Sequence, residues 1–418
     1  MKVVIAVLKA LDFIRQSENE IFHRFQEFDE IAYSNQEKVL KAFQNSKICD
    51  YHFNSSSGYG YGDIGRDTLE KVYAEVFDTE DAMVRSQVVS GTHAISACLF
   101  GILRPGDEMV SITGSPYDTL GNVIGKGKSP GKGTLIERGV LYKEIPLDAN
   151  GKPDSDGILT GITSGTKMVL IQRSRGYSLR PALRVEQIKE IIETVRRVNP
   201  QAIIMIDNCY GEFTDIVEPT QVGADLMAGS LIKNPGGGLA PAGGYIVGQK
   251  DLVEQVAFHL TAPGLGKELG ASLQNNRLLY QGLFVAPHVV NQALKSASLM
   301  AHCFKKHGYQ VFPEWDEPRG DIVQAIKLKS AEEVLEFCQV VQSSSPIDSN
   351  VQLEFAGMPG YSDRIVMAAG TFIQGSSIEM SCDAPLREPY CVYIQGGLTY
   401  EHCRLVIKNL VDRLILKK

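Results

Sequence analysis

The sequence predicts an α/β fold: a mainly parallel sheet with helices on both faces, plus a smaller C-terminal α+β domain. Three observations predict it. From about residue 83, short apolar runs alternate with helical periodicity, the pattern of βαβ units. From about residue 309 the order changes to short strands around one helix. The chain has 418 residues, 44% hydrophobic and 22% charged, which suits a soluble protein of two or three domains. A net charge of -7 argues against nucleic acid or an anionic membrane as the main partner.

The elements follow in order. Residues 4 to about 45 mix apolar residues and dense charge and read as one or two helices without a core of their own. The opening apolar run meets Lys9, Asp12 and Arg15; it is too short to span a membrane and lacks a small-residue cleavage site. A helical arm and a cytoplasmic location are expected. Residues 54–63 are polar and glycine-rich. Leu69, Val72, Tyr73 and Val76 then mark an amphipathic helix at i, i+3, i+4, i+7. A strand at 83–84 leads to Ser90-Gly91-Thr92-His93, which opens an apolar helix that Arg104-Pro105-Gly106-Asp107 stops. Strands are expected at 108–112, 167–172, 202–206, 225–228 and 244–247, with a helix at 185–198. Residues 251–305 are mostly helical. Strands at 309–312 and 321–328, a helix at 331–343, more strands and a last helix from Tyr400 complete the chain. The expected divisions are 1–66, an N-terminal arm and inter-subunit loop; 67–265, the large domain; and 266–418, the C-terminal domain.

Several motifs are weak. Gly60-Tyr61-Gly62-Asp63-Ile64-Gly65 fits G-x-G-x-x-G, but polar residues stand where a dinucleotide site needs a buried strand. Residues 125–134 resemble a P-loop in no register and read as a mobile basic loop. The eight cysteines contain no C-x-x-C pair and read as free thiols. His302, Cys303 and His307 have no second ligand cluster, so no metal is expected.

Other residues form a pattern. Asp207 ends a buried apolar strand, where open α/β sheets bind ligands and a carboxylate can pair with a cationic ring nitrogen. Its plain alternative is a turn aspartate. Lys233 follows an apolar run and precedes Gly236-Gly237-Gly238, a position inside a cleft. A lysine desolvated there has a lowered pKa and can form a Schiff base. Ser230 can donate to phosphate. Ser90-Gly91-Thr92 opens a helix whose amides and dipole suit phosphate, or Ser90 is an ordinary N-cap. Tyr117, just past a strand, can stack on a planar ring or sit at the core edge. Phosphate, flat ring, pyridinium and lysine-capturing aldehyde together describe pyridoxal 5′-phosphate.

On these residues, and on the runs SGTHA, QRSRGYSLRP, IDNCYGEF and GSLIKNPGGGLAPAGGYIVG, the chain resembles fold type I pyridoxal-phosphate enzymes. It looks most like the cystathionine and methionine γ-lyase branch, and within it the bacterial methionine-γ-lyase-like family called aluminium resistance proteins. The resemblance implies Lys233 as Schiff-base lysine, Asp207 as partner of the ring nitrogen and Tyr117 as ring-stacking and catalytic tyrosine. It places Ser90, Gly91, Thr92 and Ser230 at the phosphate, with Tyr61 reaching the neighbouring subunit's phosphate. Asp63 stands where the branch has arginine, so Arg66 or Arg173 is expected to supply that charge. Ile232 replaces a usual Ser or Thr. The branch's C-terminal arginine aligns near Tyr393, which leaves the substrate carboxylate to Arg387, with Arg175 behind it.

The implied function is a pyridoxal-phosphate-dependent carbon–sulfur lyase on a sulfur amino acid, of the cystathionine β-lyase or methionine γ-lyase kind. Alternatives are an aminotransferase, another fold type I enzyme, or a catalytically idle cofactor binder. An obligate homodimer, paired again into a homotetramer, is expected.

Overall fold

The computed structural model describes residues 2–126 and 131–416, with side chains from Lys9 onward. Part of the expected basic loop, residues 127–130, lies outside the described residues. Two helices come first, α1 (Lys2–Glu20) and α2 (Phe22–Asn45). A glycine-rich stretch leads to α3 (Ile64–Val76), whose N-cap is Asp63: its carboxylate accepts the Arg66 amide at 2.9 Å. Asp63 is therefore committed to starting a helix, which accounts for an acid at that position.

Strands β1 (Asp81–Arg85), β2 (Glu108–Ser111), β3 (Leu141–Glu144), β4 (Thr166–Gln172), β5 (Ile203–Asp207), β6 (Leu226–Ser230) and β7 (Gly244–Gly248) form one sheet, in the order β1-β7-β6-β5-β4-β2-β3. Between them run α4 (Gly91–Ile102), α5 (Asp118–Ile124), α6 (Ser155–Gly161) and α7 (Val185–Val198). The pairs from β3 across to β6 are parallel. β7 runs antiparallel to both β6 and β1, so the sheet is mainly parallel, as expected, with one reversed strand. The central strands are apolar because both faces are covered. Helix α4 and α8 (Lys250–Leu260) pack on one face, through Ile95, Leu99, Val253 and Val256. Helices α3, α7 and the long α9 (Asn276–Lys305) pack on the other, through Val72, Ile188 and Leu283.

The smaller domain holds β8 (Gln310–Phe312), β9 (Gln324–Lys327), β10 (Ile365–Ala368), β11 (Ser381–Pro385) and β12 (Cys391–Gln395), an antiparallel sheet ordered β10-β11-β12-β9-β8. Helices α10 (Ala331–Ser343) and α11 (Tyr400–Leu410) cover it. Helix α9 serves both cores: Leu279 to Leu294 lie under the large sheet, Leu299 to Phe304 in the smaller domain. The N-terminal helices also divide. Ile14, Ile21 and Phe25 join the small-domain core; Phe28, Val39 and Ala42 join the large one. No described helix is long and apolar enough to cross a membrane.

Candidate active site

The expected residues converge where β4, β5 and β6 end. Asp207 is the last residue of β5, opposite Gln172 of β4 and Ala228 of β6. Ser230 ends β6, and Lys233 lies three residues on. The lysine loop needs glycine: a Cβ on Gly236 would fall 1.8 Å from the Leu231 carbonyl oxygen. The start of α4 is pressed against the same strand end. A Cβ on Gly91 would lie 3.1 Å from both Ser230 Cβ and Cys209 Sγ.

Ser90 is the N-cap of α4; its hydroxyl accepts the His93 amide at 3.0 Å and is spoken for. The Gly91 and Thr92 amides, first in the helix, have no carbonyl a turn before them and lie at its positive end. The Ser230 hydroxyl, beside them, makes no hydrogen bond among the described residues. Thr92 Oγ1 lies 3.2 Å from the Tyr117 hydroxyl. Tyr117 is fixed from behind by its amide, which donates to Gln172 Oε1 at 3.0 Å.

Lys233 Nζ lies 3.8 Å from the ring centre of Tyr210. Burial opposes its charge, but Cys209, Tyr210, Asp207 and Tyr117 around it outweigh burial and hold the amine well above the usual lysine range. This corrects the lowered pKa expected from desolvation: the sequence shows the glycine cluster, not the acidic groups that the fold gathers there. Burial raises the Asp207 carboxyl, while Lys233 and the Cys209 amide, which donates to Oδ1 at 3.1 Å, restrain it. Burial likewise drives the Tyr117 phenol well above its ordinary value.

Three further groups were not singled out from the sequence: Cys209 and Tyr210, which lie in the IDNCYGEF run, and Asp383, which had no local signal. Asp383, on β11, is within electrostatic reach of Lys233 although they are far apart in sequence. Lys233, Tyr117, Tyr210 and Asp383 are each partly exposed while deep among protein atoms, so they line an open cleft.

The arginines separate clearly. Arg66 is buried and donates to the Gly60 and Gly270 carbonyls at 2.8 and 3.0 Å. Arg173 is fully buried and donates to Asn208 Oδ1 at 2.8 Å and Thr214 Oγ1 at 3.1 Å. Neither is free to offer charge to a phosphate, contrary to expectation. Arg387, half exposed, pairs with Asp363 at 3.0 Å and donates to the Tyr177 carbonyl at 3.1 Å. Arg175 is buried with Asp321 3.8 Å away, and its Nε and Nη1 have no hydrogen-bond acceptor. Tyr61 is 60% exposed, its ring beside that of Tyr59.

The arrangement fits pyridoxal phosphate. It offers an amine in a cleft, a carboxylate at a strand end, a helix start with free amides and a free hydroxyl, and an aromatic ring hydrogen-bonded to the helix start. Comparison agrees. A 49% identical relative, the uncharacterized protein YnbB of Bacillus subtilis, matches over 94% of this chain and 93% of its own length. The structure of a carbon–sulfur lyase involved in aluminium resistance from Clostridium novyi is 48% identical, covering 97% of this chain and 96% of its own, with a TM-score of 0.93. The L-methionine gamma-lyase of Treponema denticola is 21% identical over 62% of each chain. The methionine gamma-lyase family model matches residues 10–415, and the chain therefore belongs to that family of pyridoxal-phosphate-dependent carbon–sulfur lyases.

Proposed function

We propose that the protein cleaves a carbon–sulfur bond at Cβ or Cγ of a sulfur amino acid. The observation that carries this reading is the meeting of Lys233, Asp207, Tyr117 and the start of α4 at one edge of the sheet. Lys233 would hold pyridoxal phosphate covalently, Asp207 its ring nitrogen, the Gly91 and Thr92 amides with Ser230 its phosphate, and Tyr117 its ring face. When bound, the cofactor supplies an aldehyde for an amino group and a ring that takes up an electron pair.

The chain's own residues do the rest. Displaced by substrate, the Lys233 amine takes the Cα proton, and Asp207 keeps a positive charge on the ring nitrogen by a charge-assisted hydrogen bond. Tyr117 or Lys233 returns a proton to the departing sulfur. For the substrate α-carboxylate the two arginines differ. A buried guanidinium with two nitrogens lacking acceptors suits an anion, which favours Arg175, whose Asp321 lies 3.8 Å off; Arg387 holds its carboxylate at 3.0 Å.

The protein acts as a dimer in this reading, with Tyr61 serving its neighbour. The loop around it is fixed rather than loose: the Gly270 amide donates to the Tyr59 carbonyl at 3.0 Å, and Ser56 bonds Ser272 at 3.0 Å. Its tyrosines nevertheless point to solvent, Tyr51 61% and Tyr59 72% exposed.

The test is incubation of the cofactor-loaded enzyme with cystathionine, methionine and S-alkylcysteines. Ammonia, a keto acid and a thiol are expected together. Amino-group transfer without thiol release would favour the aminotransferase reading, and no product from any of them would leave a cofactor binder. Borohydride treatment, followed by peptide mapping, should fix the cofactor on Lys233.

A further inference from the structure

We infer that Asp383 is a specificity-determining residue that accepts a distal ammonium group on the substrate's side chain. The inference rests on the carbon–sulfur lyase reading for its substrate, and names within it amino acids whose side chain beyond sulfur carries a cation.

Asp383 is held at one oxygen only. The Tyr177 hydroxyl donates to Oδ2 at 3.1 Å, and Gln395 Nε2 donates to the same atom at 3.0 Å. Oδ1 accepts no hydrogen bond from the described residues. The carboxylate is therefore oriented, with one oxygen left for a ligand. Its frame is aromatic. The Tyr177 ring packs against Tyr361 and Tyr393, with centres 5.8 and 5.3 Å apart, and Tyr393 is the cross-strand partner of Asp383. Tyr210 is within electrostatic reach of both Asp383 and Tyr361. A carboxylate among tyrosines, one of whose ring faces already lies under an ammonium, is a cation site in its chemistry.

An ammonium already lies within electrostatic reach, Lys233 Nζ over the Tyr210 ring: burial raises the Asp383 carboxyl, and Lys233 offsets part of that rise. Bound to a carbonyl, or released by substrate as the neutral amine that takes the Cα proton, Lys233 would no longer place an ammonium there. Asp207 has the ring nitrogen as its counterpart; Asp383 has nothing. A carboxylate at such depth without a counter-charge is costly, and burial draws it toward its protonated form. A substrate that brings an ammonium to the same place restores the balance, whereas a neutral methylthio group does not. Discrimination thus comes from leaving a buried acid unpaired, which separates ligands more strongly than an added apolar contact.

The test uses ligands that bind at the cofactor but hold no sulfur to eliminate. L-Lysine and L-norleucine have similar side chains, with and without the distal ammonium. Each is titrated into the cofactor-loaded enzyme, and Kd is read from the change in cofactor absorbance. We expect lysine to bind at least about tenfold more tightly than norleucine, and Asp383→Asn to remove most of that preference while changing norleucine by less than about threefold. A wild-type enzyme that binds lysine no better than norleucine overturns the inference without any variant, as does equal weakening of both ligands in Asp383→Asn. An enzyme that prefers lysine yet releases no keto acid from any sulfur amino acid would refute the lyase reading and leave the cation pocket standing.

Discussion

At the scale of single residues, Asp207 carries the sharpest prediction. Asp207→Asn keeps the shape and the Cys209 contact but cannot hold a proton on a ring nitrogen. We expect kcat to fall by about two to four orders of magnitude with an unchanged far-UV spectrum; near-normal turnover would reduce Asp207 to a turn residue. Glu212 makes a second prediction. It is fully buried, and burial pushes its carboxyl up to about 8 while the Tyr245 hydroxyl donates to it at 2.8 Å. In the unfolded chain it ionises near 4.5. Between those values the folded chain keeps a proton the unfolded chain has lost, so stability falls as pH rises, by up to about 1.4 kcal/mol per pH unit. Glu212→Gln removes the titration and should flatten the decline of Tm between about pH 5 and pH 8; an unaltered slope would refute it. Asp207 and Lys233 were legible in sequence because each ends a local apolar run. Asp383 was not, since nothing local marks an acid that only folding brings to Lys233. The sign of the Lys233 shift was missed for the same reason.

Among the elements, the start of α4 is the one most exposed to a single methyl group. Gly91→Ala puts a carbon 3.1 Å from Ser230 and Cys209, neighbours that are both buried. The strand end or the helix must give way, at a cost of about 1–3 kcal/mol, and the amides proposed to hold phosphate move with it. Equilibrium dialysis should show weaker cofactor retention than in wild type, and full retention at unchanged Tm would mean the contact has slack. Long amphipathic helices such as α7 and α10 were readable to the residue, because several turns repeat one pattern. Helices α5 and α6 are too short to show a period, and the edge strand β3 too exposed to read as apolar. The reversal of β7 has a physical cause: residues 231–243 hold only the short turn Asn234–Gly236, and a parallel return needs a longer crossover, usually helical.

For the whole molecule, the prediction concerns a shared site. Tyr61→Phe and Lys233→Ala proteins, each inactive alone, are mixed under conditions of subunit exchange. Hybrid dimers then hold one site with both defects and one with neither, so up to about a quarter of wild-type activity is expected to return in an equal mixture. No recovery despite demonstrated exchange would show that Tyr61 serves its own chain. The span of α9 across two cores has a consequence during synthesis. Ile14, Phe25 and Phe28 emerge long before Asn276–Lys305, the helix they pack beside. At about 5–20 residues per second, that leaves these apolar side chains waiting on the order of tens of seconds for their partner. The nascent chain, more than the finished enzyme, is where a holding chaperone would matter, and overexpression at low temperature should lengthen that wait.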